Sequence, residues 1–297
     1  MDESLHMSSI VMSSQEREHV IRYLCKGEQM HMTVEQKIER IKRFRPVDDV
    51  FFEVLAKDIP FDQEMLRLIL DDEELIVEDV IVQSDERNLY GRSVRLDALC
   101  ILGNGARCNV EVQRFDNDNH VKRVRYNASM ITVKESDAGT DYSRIPEVYV
   151  VYISEFDIFK KNKTVYHIEK VIKETGDTID DGLHEIFVNT KVHDGTEIAE
   201  FMKHFTETRF EDRRFPCFTS AVKAIKDTEG GRESMCKIME EYSREVAREE
   251  AIDATIETAL NFKVPAELIV QELCKRYELD TDTALKRIED YQKTKTA

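Results

Sequence analysis

Apolar residues in this chain fall first at helical spacing, then in alternation, and then at helical spacing again. Residues 14–43 read as two charged helices, and Thr33 and Gln36 in TVEQKIERIKRF have the capping-box spacing that starts the second. Pro46 interrupts. DDVFFEVLAKDI predicts a short helix with Asp49 near its N-terminus, and FDQEMLRLILDD continues with apolar residues at helical spacing. From about residue 75 strands are predicted: ELIVEDVIVQ, GRSVRLDALCIL and ARCNVEVQ. KRVRYNASMITVKE returns to a helical period, and PEVYVVYISEF is apolar enough for a strand covered on both faces. YHIEKVI and HEIFVNTKV are shorter strands, and TEIAEFMKHFTE is a helix.

Residues 220–260 read as a long helical segment rich in Glu and Ala. Pro265 opens AELIVQELCKRYEL, and the Asp/Thr cluster DTDT starts ALKRIEDY. The strand-rich middle is one α/β unit with helical additions on both sides.

The hairpin RLDALCILGNGARCNVEVQ, residues 95–113, carries the candidate chemistry. With Asn104-Gly105 as a two-residue turn, Asp97 faces Val112, Ala98 faces Glu111, and the acids point to opposite sides. With Gly103-Asn104-Gly105 as a three-residue loop, Cys100 faces Cys108 and Ala98 faces Val110. One face is then wholly apolar. The other collects Asp97 opposite Glu111, with Cβ atoms about 5 Å apart, beside Gln113, Asn109 and Arg107. Only this register keeps Arg107, Asn109 and Glu111 off the apolar side. Two carboxylates that close repel unless a positive charge lies between them. Magnesium would relieve the repulsion, because it favours one or two carboxylates with waters and phosphate oxygens. The alternative is an ordinary polar sheet face.

Composition narrows the options. The chain has 297 residues, 41% hydrophobic and 35% charged, with a net charge of −17. This balance fits a globular protein and opposes a general nucleic-acid coat, yet a metal-loaded carboxylate cluster can still accept a phosphate. Six cysteines without a C-x-x-C pair, and eight dispersed histidines, give no zinc pattern. No P-loop, G-x-G-x-x-G or G-x-S-x-G is present. No signal-peptide pattern or membrane-length apolar run is visible, so a cytoplasmic location is expected.

DDVFFEVL, RLDALCILGNGARCNVEVQR, KRVRYNASMI, DYSRIPEVYVVYISEFDIF, YHIEKVIKETG and GRESMCKIMEE together resemble the PD-(D/E)XK nuclease superfamily. They are most similar to its bacterial branch of recombination-promoting nucleases and transposase-labelled proteins. The resemblance spans roughly residues 45–245. It implies a mixed sheet flanked by helices, a PD-(D/E)XK core over 45–215, and helical regions over 1–44 and 216–297.

It also implies an activity, metal-dependent hydrolysis of DNA phosphodiesters linked to recombination or mobile DNA. Asp97 and Glu111 match the carboxylates that hold Mg²⁺ or Mn²⁺. Gln113 stands where the superfamily name has Lys and this branch has Gln. Asp49 matches the helix acid, with Glu53 and Glu64 as nearby alternatives. Arg123 and Tyr126 match an Arg/Tyr pattern near phosphate.

Glutamine can neither supply charge nor take a proton, so activity would lean on the metal. The rival expectation is a non-cleaving descendant that binds DNA or a protein. The apolar spacing in 234–260 suits core packing or a homodimer seam, and the closing helix pair has a helix-turn-helix look with only a mildly basic second helix.

Overall fold

The structure, a computed structural model, describes residues 33–86, 94–117, 119–136, 139 and 141–296. The first of the two charged helices expected in 14–43 lies outside the described residues. Two compact units are present, one spanning Thr33–Ile238 and the other including the chain from Met239 onward.

The larger unit opens with helix α1 (Val34–Arg43). Thr33 Oγ1 accepts the Gln36 N–H, and Gln36 Oε1 accepts the Thr33 N–H, which completes the expected capping box. Helices α2 (Asp49–Leu55) and α3 (Ile59–Leu70) follow. Asp58 caps α3 by accepting the Phe61 N–H at 3.0 Å, and Asp71 ends it in the left-handed region at φ 52°.

Strands β1 (Val77–Glu86), β2 (Val94–Leu102) and β3 (Arg107–Gln113) form an antiparallel meander. Helix α4 (His120–Lys134) then crosses over to β4 (Val148–Ser154), which is parallel to β3. Strand β5 (Val165–Ile168) precedes a small hairpin, β6 (Lys170–Val171) with β7 (Thr178–Ile179). Strand β8 (Leu183–Asn189) returns between β4 and β5, giving the mixed order β1-β2-β3-β4-β8-β5. YHIEKVI, expected as one strand, is thus shared between the main sheet and the small hairpin. Its exposed Ile168, Val171 and Ile172 show why apolar character did not report sheet membership there.

The hairpin register is set by a three-residue loop. Leu102 N–H donates to Ala106 O at 3.0 Å, Gly105 sits at φ 86°, and Asn104 Oδ1 accepts the Ala106 N–H. The required left-handed position falls on a glycine, where no Cβ resists it. Cys100 therefore pairs with Cys108 and Ala98 with Val110.

Helix α4 packs on the face that carries Glu111, burying Leu96, Leu99, Val124, Ala128, Ile131, Val150, Tyr152 and Phe187 in one cluster. Helix α2 packs against β2 and β3, and α3 against β1. Strand β4 is buried on both faces, as its apolar run required.

Helices α5 (Glu197–Lys203) and α6 (Pro216–Asp227) close this unit through a phenylalanine cluster that includes Phe61, Phe201, Phe205 and Phe218. Lys226 is buried, and its ammonium donates to the carbonyls of Lys42, Phe44 and Thr208. Helix α7 (Glu229–Asn261) follows.

The expectation of one helical segment over 220–260 is therefore corrected to two helices. Thr228, at ψ 157°, interrupts them, and a Cβ on Gly231 would lie 2.2 Å from the Ala224 carbonyl oxygen. The turn is too tight for any side chain there.

In the second unit, the end of α7 packs with α8 (Ala266–Tyr277) and α9 (Thr281–Thr296) around Ile252, Ile256, Ile269, Leu273, Ala284 and Ile288. No helix among the described residues is long and apolar enough to cross a membrane.

Candidate active site

The backbone ladder between β2 and β3 runs from Ile101–Arg107 to Ala98–Val110, and side chains take over beyond it. The Asp97 N–H donates to Glu111 Oε1 at 3.4 Å, and the Val112 N–H donates to Asp97 Oδ2 at 3.0 Å. The Glu111 carboxylate thus reaches the Asp97 backbone, and the Asp97 carboxylate the Val112 backbone, at the same end of the strand pair. Glu111 is fully buried and Asp97 half-buried.

Three further groups fix this end. Asn109 Nδ2 donates to Glu111 Oε1 at 3.0 Å. Arg123, projecting from α4, donates from Nη2 to Glu111 Oε2 at 3.0 Å and from Nη1 to Gln113 Oε1 at 3.1 Å. Gln113 Nε2 donates to the Phe115 carbonyl at 2.9 Å. Burial works against the Arg123 charge. Glu111, then Tyr152 and Asp97, overcome that and hold the guanidinium pKa above its ordinary value. A buried carboxylate needs such a partner, and stripping one member from a pair of this kind costs about 3–5 kcal/mol.

The candidate helix acids have separate environments. Asp49 is exposed in the first turn of α2. Glu53 is half-buried and faces Lys57 at 4.0 Å. Glu64 spends both oxygens on the N-terminus of α6, accepting the Cys217 N–H at 3.1 Å and the Phe218 N–H at 2.8 Å. Tyr126 is half-buried three residues beyond Arg123, on the same side of α4.

Several neighbours escaped the sequence reading. Asp48, the residue before Asp49, is buried and accepts the Arg45 N–H at 2.7 Å and Arg114 Nη1 at 2.9 Å. Glu155 joins the same network, binding Arg45 at 2.7 Å and Arg114 at 3.0 Å, and its own N–H donates to the Gln113 carbonyl. The available signal was a charged residue placed directly after each parallel strand, Arg114 after β3 and Glu155 after β4.

His120 is buried, with Nδ1 2.9 Å from the Tyr152 hydroxyl and Nε2 3.2 Å from Asp116. Tyr152 is the register partner of Glu111 on β4. Asn109 Oδ1 is buried with no hydrogen-bond partner among the described residues.

The donor set suits a hard divalent cation, since Asp97 and Glu111 bring carboxylate oxygens from adjacent strands. Among the described residues no group of three or more His, Cys, Asp or Glu side chains is arranged to hold a metal ion. Any cation here would rely on two carboxylates with water and phosphate oxygens, the pattern magnesium favours.

A mixed sheet with a leading meander, a crossover helix and flanking helices defines a PD-(D/E)XK-like α/β protein. Residues 56–231 match the family described as PD-(D/E)XK nuclease family transposase, and the chain belongs to that family. The matched span contains Asp97, Glu111, Gln113 and Arg123, while Asp49 precedes it. No curated protein and no solved structure matches the chain.

Proposed function

We propose that this protein is a divalent-metal-dependent DNA endonuclease acting in recombination or on mobile DNA. The observation that carries the reading is that the Asp97 and Glu111 side chains lie at the same end of β2 and β3, with Gln113 joined to Glu111 through Arg123.

Asp97 and Glu111 hold Mg²⁺ or Mn²⁺, and Asp49 serves as the helix acid. The bound cation supplies Lewis-acid polarisation of the phosphate and a more acidic water. Gln113 orients a water or a phosphate oxygen through neutral hydrogen bonds, because an amide acts as neither acid nor base near neutral pH. Arg123 and Tyr126 face the phosphate, the arginine as a planar two-pronged donor. A cytoplasmic location and a homodimer through the C-terminal helices complete the proposal. Deleting the chain after Thr228 and measuring mass by light scattering tests the dimer, and an unchanged number of subunits counts against it.

Supercoiled-plasmid nicking with Mg²⁺ or Mn²⁺ is the test of activity, run beside Asp97→Ala and Glu111→Ala. Nicking by the wild type alone supports the assignment. Equal nicking by all three rejects it.

One observation favours a second reading, a DNA- or protein-binding module without cleavage. Arg123 already satisfies Glu111, and Gln113 brings no charge. Salt-sensitive DNA binding with no nicking under either metal would establish that reading.

A further inference from the structure

We propose that Arg123 is a tethered counter-cation of the site, released from Glu111 when a divalent cation enters and thereby made available to a DNA phosphate. The proposal rests on the nuclease reading above.

Glu111 is fully buried, so its charge needs a positive neighbour at all times. Its Oε1 is taken by Asn109 and by the Asp97 N–H, whereas Oε2 meets Arg123. A cation bridging Asp97 and Glu111 comes close to that guanidinium. Like charges this close repel, and the two charges of a divalent ion double that repulsion. Glu111 therefore keeps one strong cationic partner at a time.

The exchange is feasible because of what holds Arg123. Its side chain is 22% exposed while Glu111 is 0% exposed, so solvent reaches the arginine but not the carboxylate. Its other hydrogen bond is to the neutral Gln113 amide, which water can replace at small net cost, and the Asp97 charge nearby favours the guanidinium in either position. Once off Glu111, the guanidinium presents a planar fork matched to a phosphate.

Two consequences follow. Without Arg123, the cation meets no competitor and binds more tightly. With Arg123, cation and phosphate binding reinforce each other, since each favours the same released state.

Calorimetric titration of Mn²⁺ into the full chain tests this, with and without a phosphorothioate-blocked duplex. Wild type is compared with Arg123→Met and with Arg123→Gln, an uncharged polar replacement. Either variant that keeps the wild-type circular dichroism is expected to bind Mn²⁺ about tenfold more tightly without DNA. The duplex is expected to tighten Mn²⁺ binding more in wild type than in either variant, because phosphate oxygens ligate the cation in all three.

Equal or weaker binding by a folded variant overturns the proposal. In the unmodified chain, the Arg123 guanidinium protons should lose protection from exchange as Mg²⁺ is added. Protection that persists through saturation also overturns it. Mn²⁺ binding that ignores residue 123 but is lost in Asp97→Ala defeats this proposal alone. No Mn²⁺ binding by wild type defeats it together with the nuclease reading.

Discussion

The Glu64 carboxylate accepts the backbone N–H of Phe218 at 2.8 Å, joining α3 to the first turn of α6 across 154 positions of sequence. With Cys217 bound to its other oxygen, this acid does the work of an N-cap from another helix and lies against the positive end of α6. Glu64→Ala is expected to cost about 1–2 kcal/mol by urea unfolding. Nicking per folded molecule should stay at the wild-type level. A folded Glu64→Ala protein without nicking would return Glu64 to the list of helix acids.

Asp62 presents the opposite situation. It is fully buried, and neither oxygen meets a donor among the described residues. Burial, then the nearby Asp58 charge, push its carboxyl well above the usual range. The folded state keeps this proton after the unfolded chain has lost it near pH 4. Stability contributed by the site is therefore intact below that pH and falls as pH rises toward the folded pKa, by about 1.4 kcal/mol per unit. Asp62→Asn removes the slope. Its melting temperature should match wild type near pH 4 and exceed it at pH 8. A constant difference across that range would show that Asp62 is ionised in the fold.

Adjacent acids at the start of α2 should separate stability from activity. Asp48 is buried against Arg45 and Arg114, so Asp48→Ala is expected to lose about 3 kcal/mol. Asp49 is exposed, and Asp49→Ala should change stability by about 0.5 kcal/mol or less. If Asp49 serves as the helix acid, its loss abolishes nicking all the same. Chemical denaturation and plasmid nicking on both variants decide the matter.

Cys100 and Cys108 face one another in register, and burial raises both thiol pKa values. Thiols held neutral and dry are poor nucleophiles. Mass spectrometry after native iodoacetamide treatment should find both unmodified, and both alkylated in guanidinium chloride. Rapid native labelling would mean that α2 and α3 open readily from the sheet.

The sheet was legible wherever local chemistry admitted one solution. Gly105 supplies a left-handed position, and a one-residue slip would have put Arg107, Asn109 and Glu111 on the apolar face with Ala98 and Cys100, so the hairpin register could be read directly. Thr33 and Gln36 marked a helix start by spacing alone. The site was legible only as far as that register reaches. Arg123 contacts Glu111 from a different element, and no periodicity reports where a crossover helix aims a long side chain. Asp48 and Asp49 are chemically identical in the sequence and differ only in which side of a helix start faces Arg114. The break at Thr228 was marked by Gly230 and Gly231, but the apolar spacing on either side is helical and masked it.

The three carbonyls gathered by Lys226 have a bearing on synthesis. A ribosome makes Lys42 and Phe44 some 180 residues before the ammonium that holds them. Until residue 226 emerges, the elbow between α1 and α2 lacks its clasp. The neighbouring Asp48–Arg114 network must assemble before that clasp is in place. Acquisition of the finished nuclease-like unit is thus postponed to a late stage of translation, and a nascent chain released before α6 is complete would expose that elbow to proteases.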